Sequence, residues 1–182
     1  MRLFVGIEFP AYIIDALAVV QGELRSNCQR GRFKRRENFH LTLKFLGEVA
    51  TADVPLLAPP LNEVAAGFGP LCLELGRLGQ FGGNDTIRVV WVDVAGDSGP
   101  LKALQQQVEE VLAPLGFRPE NRPWRPHITL AQDVVAVAGA PPWAAYKIDR
   151  TAFPVTEFAV ILSEEVDRRR VYTPISRFPL GK

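Results

Sequence analysis

The stretch Asn38-Phe39-His40-Leu41-Thr42-Leu43-Lys44-Phe45 has a second version later in the chain, Arg125-Pro126-His127-Ile128-Thr129-Leu130-Ala131. In both, apolar residues alternate with polar ones. Phe39, Leu41, Leu43 and Phe45 interleave with His40, Thr42 and Lys44, and Ile128 and Leu130 interleave with His127, Thr129 and Ala131. A period of two is that of a half-buried strand, whose successive side chains point to opposite faces. The expectation is two strands, each presenting an imidazole and a hydroxyl side by side on its polar face. Lys44 and Ala131 should share those faces, and Phe45 should pack inward.

His40 and His127 are the only histidines in 182 residues, and each opens a His-x-Thr-Leu tetrapeptide. With seven threonines available, one such pattern is ordinary, whereas two that use up every histidine point to a paired site. Histidine titrates near neutral pH, so it can both take and give a proton there. Across a groove, a neutral imidazole can act as base and a protonated one as acid. A zinc centre needs three or four ligands at set spacing, and Cys28 and Cys72 form no Cys-x-x-Cys pair. Proton transfer is the favoured chemistry, with no metal and no cofactor called for.

The interval between the histidines, 127 − 40 = 87 residues, is close to half the chain. That suggests a weak internal duplication in which two similar lobes each donate one His-x-Thr strand. No long linker separates them, so residues 1–182 read as one bilobal domain. A hydrophobic content of 47%, a charged content of 23% and a net charge of +1 describe an ordinary globular protein without a global pull towards nucleic acid or membrane. No apolar run approaches the roughly 20 residues needed to cross a bilayer. Two separated cysteines and no apolar leader fit a reducing cytoplasm, and a monomer is expected.

Around the motifs, Leu3, Val5, Ile7 and Phe9 alternate as a strand ended by Pro10, and Ile13, Ile14, Leu17, Val20 and Leu24 recur at helical spacing. A Pro-punctuated helical segment is expected from about Asp53 to Ala66. Strands are expected at Leu71–Leu75, Ile87–Val94, Glu157–Ser163 and Val171–Leu180, with a Gly-rich loop around Gln80–Asp85. Leu101 to Leu115 form the clearest amphipathic helix, with Ser98 as its N-cap, and a Pro/Ala-rich connection occupies Gly139–Ala145. Interleaved strands and helices with hairpin-like pairs favour an α+β fold of mainly antiparallel sheet.

The two segments, extended to Asn38–Glu48 and Arg125–Ala131, resemble the signature motifs of the 2H phosphoesterases. They are most similar to the bacterial 2′-5′ RNA ligase / RNA 2′,3′-cyclic phosphodiesterase branch. Arg2–Ile7, Leu75–Phe81 and Ser163 to Tyr172 fit as well. The resemblance implies two pseudo-twofold-related lobes whose antiparallel sheets line a central groove, with helices outside. It implies hydrolysis of 2′,3′-cyclic phosphate ends of RNA, or of 2′,3′-cyclic nucleotides, to 2′-phosphates, with joining through a 2′-5′ linkage as the reverse-type reaction. His40 would be the proton donor and His127 the proton acceptor, and Thr42 and Thr129 would hold the phosphate. Two positions depart from the pattern. Gln132 stands where the family often has Arg, so phosphate binding would rely on other cations, and Arg168-Arg169-Arg170 replaces a Gly-containing stretch before Tyr172.

Arg30, Arg32, Lys34, Arg35 and Arg36 could form a positive lip, and Arg122 and Arg125 flank the second motif. Phe39, Phe81, Trp124 and Tyr172 are candidates for stacking on an unpaired base, although Phe39 alternates with His40 and so points towards the core. No Gly-x-x-x-x-Gly-Lys-Ser/Thr phosphate loop is present, so ligation should need no ATP. Two alternatives accompany this reading: a non-catalytic RNA- or nucleotide-binding module, and the same chemistry on a small molecule such as an ADP-ribose cyclic phosphate.

Overall fold

In the computed structural model, which describes residues 1–83, 87–140 and 145–181, the strands join in one curled sheet with helices on its outer side. Its strands are β1 (Arg2–Ile7), β2 (Cys28–Phe33), β3 (Leu41–Glu48), β4 (Leu71–Gly82), β5 (Ile87–Gly96), β6 (His127–Ala136), β7 (Ala152–Val155), β8 (Glu157–Val166) and β9 (Arg169–Pro179). Their order is β7-β4-β5-β6-β3-β1-β8-β9, with β2 added on β6, and every pairing is antiparallel. The motif strands β3 and β6 meet at the middle. On one side of them β1 is followed by α1 (Ala11–Ser26), the edge strand β2 and β3, and on the other β5 is followed by α3 (Ser98–Leu112) and β6. This repeat of strand, helix and motif strand puts one histidine in each half of the sheet.

Each helix lies under the motif strand of the other half, α1 against β6 and α3 against β3. α1 buries Ile13, Leu17, Val20 and Leu24, and α3 buries Leu101, Leu104, Val108 and Leu112. Those spacings give one apolar stripe per helix, which closes the main core against the sheet. The short helix α2 (Ala58–Ala66) follows a 3₁₀ stretch at Thr51–Leu57 and packs against α3 and β9. The opposite face of the sheet is left open as a groove.

Several sequence expectations change. β2 and β7 are additional strands: Cys28–Phe33 is polar and sits at an edge, and Ala152–Val155 is short and contains Pro154. The N-cap of α3 is Asp97 rather than Ser98, and the Asp97 carboxylate instead accepts a hydrogen bond from the Cys72 amide at 2.8 Å. The amphipathic helix ends at Leu112, followed by a 3₁₀ turn at Ala113–Leu115. β4 continues through Gln80 to Gly82, whereas residues 84–86 of the expected Gly-rich loop and 141–144 of the Pro/Ala connection lie outside the described residues.

Candidate active site

The alternation of both motif strands breaks one residue after the threonine. Val5 pairs with Lys44 and Gly6 with Thr42, so Leu43 is bulged out of register. Val90 pairs with Ala131 and Trp91 with Thr129, so Leu130 is bulged at the equivalent place. A bulge puts two residues opposite one and turns the strand's next side chains to the other face. Phe45, expected inside, is therefore 62% exposed, while Lys44, expected beside His40 and Thr42, is buried. Lys44 pairs there with Glu109 of α3 and donates to the Arg118 carbonyl at 3.1 Å. In β6, Ala131 is buried and Gln132 faces the groove instead.

A bulge frees backbone carbonyls that must find donors. The Leu43 carbonyl accepts from Gln105 Nε2 of α3 at 3.3 Å, and the Leu130 carbonyl accepts from Gln21 Nε2 of α1 at 2.8 Å. Each helix thus secures the bulge of the other half. Trp124 Nε1 adds a hydrogen bond to the Thr42 carbonyl at 3.1 Å.

With the strands so bent, His40, Thr42, Phe45, His127, Thr129 and Gln132 line one cavity of about 580 Å³. The two histidines are held alike. His40 Nδ1 is 2.7 Å from the Asn38 carbonyl, and His127 Nδ1 is 2.7 Å from the Arg125 carbonyl. A carbonyl only accepts, so each Nδ1 carries the proton and each Nε2 is left for chemistry in the cavity. Aromatic rings fix the ring planes. His40 lies 4.7 Å from Phe4 and 5.0 Å from Tyr172, and His127 lies 5.1 Å from Phe81. The buried Asn38 also donates through its side chain to the Arg170 carbonyl at 2.8 Å, which ties the β8–β9 hairpin to the His40 turn.

Burial pushes the His40 imidazole down to about 4, against a smaller upward pull from the Asn38 carbonyl, and the charge of Lys34 lowers it further. His127 is lowered as well, chiefly by burial. Both rings are thus neutral at pH 7 in the free protein.

The other sequence candidates separate. Tyr172 lines the cavity with its ring edge-on to His40. Phe39 is 3% exposed and belongs to the core, so it does not reach the groove. Arg125 lines an adjoining cavity of about 440 Å³, shared with Phe81, Arg88, Arg122 and Trp124, and its guanidinium lies 4.3 Å from the centre of the Trp91 ring. Gly79 leaves the room that ring needs, since a Cβ there would come within 2.2 Å of it. Thr42, Phe45 and His127 border both cavities. Phe4, Phe45 and Arg88, which line the two cavities, and Trp91, which lies under Arg125 and beside His127, are residues that sequence reasoning misses. Phe4 and Phe45 read as ordinary alternating residues, and only the bulges bring Phe45 into the groove.

A bilobal antiparallel sheet with one His-x-Thr strand per lobe on a shared groove defines a 2H phosphoesterase fold. A family model described as the 2'-5' RNA ligase superfamily matches residues 14–167, and the chain belongs to that superfamily. The RNA 2',3'-cyclic phosphodiesterase of Escherichia coli (strain K12) is 32% identical over 186 residues, covering 98% of this chain and 96% of that protein. The protein of the same name from Aeropyrum pernix is 41% identical over 96 residues. The chain spans about half the length of that relative, 53%, and 56% of the Geobacillus stearothermophilus relative. Among solved structures, TT0787 of Thermus thermophilus superposes with a TM-score of 0.82 at 28% identity, over 100% of this chain and 98% of that one. Escherichia coli LigT complexed with 3'-AMP superposes with a TM-score of 0.78 at 30% identity and the same coverage. Among the described residues, no helix is long and apolar enough to cross a membrane.

Proposed function

We propose that this chain is an RNA 2′,3′-cyclic phosphodiesterase, acting as a single bilobal domain and as a monomer in the cytoplasm. It opens 2′,3′-cyclic phosphate ends of RNA, or 2′,3′-cyclic nucleotides, to 2′-phosphates without a metal. ATP-independent 2′-5′ joining is the reverse-type reaction. The observation that carries the reading is the matched pair of Nδ1–carbonyl contacts, which leaves two Nε2 atoms free on one cavity beside two hydroxyls. A binding module has no need of two titrating groups held in the same tautomer.

His127 is the base: its Nε2 takes a proton from the water that attacks phosphorus. His40 is the acid: its Nε2 gives a proton to the departing 3′ oxygen, so the P–O3′ bond breaks as the new P–O bond forms and the phosphate stays on O2′. Because His40 is neutral in the free protein, it acquires its proton when the substrate arrives. The phosphate's negative charge in the same cavity favours the imidazolium and offsets the burial that opposes it. Thr42 and Thr129 donate hydroxyl hydrogen bonds to the non-bridging oxygens, where charge builds up. Tyr172 walls the His40 side, and Arg125 and its neighbours in the adjoining cavity receive the preceding nucleotide. The free thiols of Cys28 and Cys72 accord with a reducing compartment.

The test is an EDTA-treated preparation incubated with an oligoribonucleotide ending in a 2′,3′-cyclic phosphate. The expected product is the 2′-phosphate alone, identified by mass and phosphorus NMR. A 3′-phosphate product, or activity that returns only with added metal, contradicts the reading.

A further inference from the structure

Lys34 follows β2 directly, and its amide donates to the carbonyl of the bulged Leu130 at 2.8 Å. The β2–β6 register pairs Arg32 with Gln132 and Phe33 with Ala131. Phe33 packs against the main core, so Arg32 and Lys34 point the other way, into the groove with Gln132. Arg32 is neutralised by Asp133, and Arg170 lies 3.8 Å from Glu165. Lys34 has no carboxylate within ion-pair reach among the described residues. Its Nζ instead lies 3.3 Å from the Tyr172 hydroxyl and 5.6 Å from the centre of that ring, which itself abuts His40.

An ammonium without a counter-ion, on the wall of a cavity holding two histidines, is matched to an anion. Its three N–H groups cannot all be used by one tyrosine hydroxyl, so donors remain for a phosphoryl oxygen. We propose that Lys34 is a phosphate-holding cation of this site, placed at the end of β2 on the cavity that Gln132 of β6 also lines. The proposal rests on the cyclic phosphodiesterase reading and names a cation of that same site. Lys34 binds a non-bridging oxygen and stabilises the charge that grows on it as water adds to phosphorus. Its charge also reaches His40, lowering that imidazole's proton affinity until the phosphate neutralises it. Substrate binding therefore both anchors the phosphate and releases His40 to take its proton.

The experiment uses the whole chain at constant ionic strength, with 2′,3′-cyclic AMP as substrate and inorganic phosphate as inhibitor. Lys34→Gln is compared with Lys34→Arg and with Arg30→Gln, which removes the same charge from β2 without lining the cavity. Lys34→Gln is expected to lower kcat/KM, and to weaken phosphate inhibition, by about ten- to a hundredfold, the worth of a charge-assisted hydrogen bond. Lys34→Arg should keep most of both, and Arg30→Gln all of both. NMR titration of His40 should give a higher pKa in Lys34→Gln, a change that a merely structural lysine would not produce. An unchanged phosphate inhibition constant in Lys34→Gln, or an equal loss in Arg30→Gln, overturns the proposal. If the wild-type chain does not turn over the cyclic nucleotide, the enzymatic reading fails. Phosphate binding followed on the histidine resonances then still decides the role of Lys34.

Discussion

Leu41 stands opposite Ile128 in the one register pair that joins β3 to β6. The strands run antiparallel, so paired positions sum to 41 + 128 = 169. Continuing that register by one step either way brings His40 towards Thr129 and Thr42 towards His127, and all four line the same cavity. Opposite residues of an antiparallel pair share a face, so the continued register places each imidazole on the same face as the other motif's hydroxyl. Each half of the site is thus made from both lobes. Thr42→Val and Thr129→Val should each lower kcat/KM on 2′,3′-cyclic AMP by about tenfold, the worth of one hydrogen bond to a charged oxygen. Similar losses fit the twofold arrangement, and a loss confined to one variant contradicts it.

The bulges make a separate prediction at adjacent residues. Gln132→Arg should fold normally and tighten inhibition by phosphate several-fold, because its side chain already faces the cavity. Ala131→Arg should destabilise the protein severely, because Ala131 is fully buried. Urea unfolding of the two variants decides this, and equal stabilities would mean that β6 alternates without a bulge.

The glutamines that secure the bulges should matter for stability. Gln105→Leu leaves the buried Leu43 carbonyl without this donor, at a cost of about 1–3 kcal/mol. Gln21→Leu removes bonds to both the Leu130 and the Lys34 carbonyls, but it should cost less, since the Leu130 carbonyl keeps its bond from the Lys34 amide and this site is only part-buried. Urea midpoints read the difference, and the reverse order would contradict it.

Much of this site is legible because His-x-Thr is a local pattern, and residues two apart share a strand face wherever no bulge falls between them. Phe45 and Lys44 are not legible. Their faces are exchanged by a one-residue slip against β1, and nothing in the local sequence announces it. The partner of Lys44, Glu109, lies 65 residues away on α3, and no periodicity connects the two. β2 escapes notice because Cys28-Gln29-Arg30-Gly31-Arg32 offers charges without an apolar face to alternate against. The same charges read as a lip, and that reading carries no register from which to single out Lys34.

The histidine environments predict the direction of two pH dependences. Both imidazoles titrate below their ordinary value of 6.5, His40 at about 4. Between those pH values the unfolded chain binds protons that the folded chain refuses, so the folded state loses stability as pH falls from 6.5 towards 4 and holds its full share above 6.5. His40→Gln should shrink the drop in urea midpoint between pH 7.5 and pH 5, and phosphate should shrink it in the wild type. An undiminished drop in His40→Gln would place the titration elsewhere. In activity, the kcat/KM profile should peak on the acid side of the kcat profile, because bound phosphate raises the proton affinity that the free site suppresses.

The central claim is the division of labour between His40 as acid and His127 as base, and a leaving-group comparison tests it most directly. The substrates are 2′,3′-cyclic AMP and its analogue with sulfur in place of the bridging 3′ oxygen, since a thiolate departs without a proton. On the oxygen substrate, His40→Ala and His127→Ala should each lose about 10²–10⁴-fold, the range for general acid or base catalysis. On the sulfur substrate, His40→Ala should recover towards the wild-type rate while His127→Ala stays impaired. Rescue of His127→Ala instead, or equal losses of both variants on both substrates, would contradict the assignment.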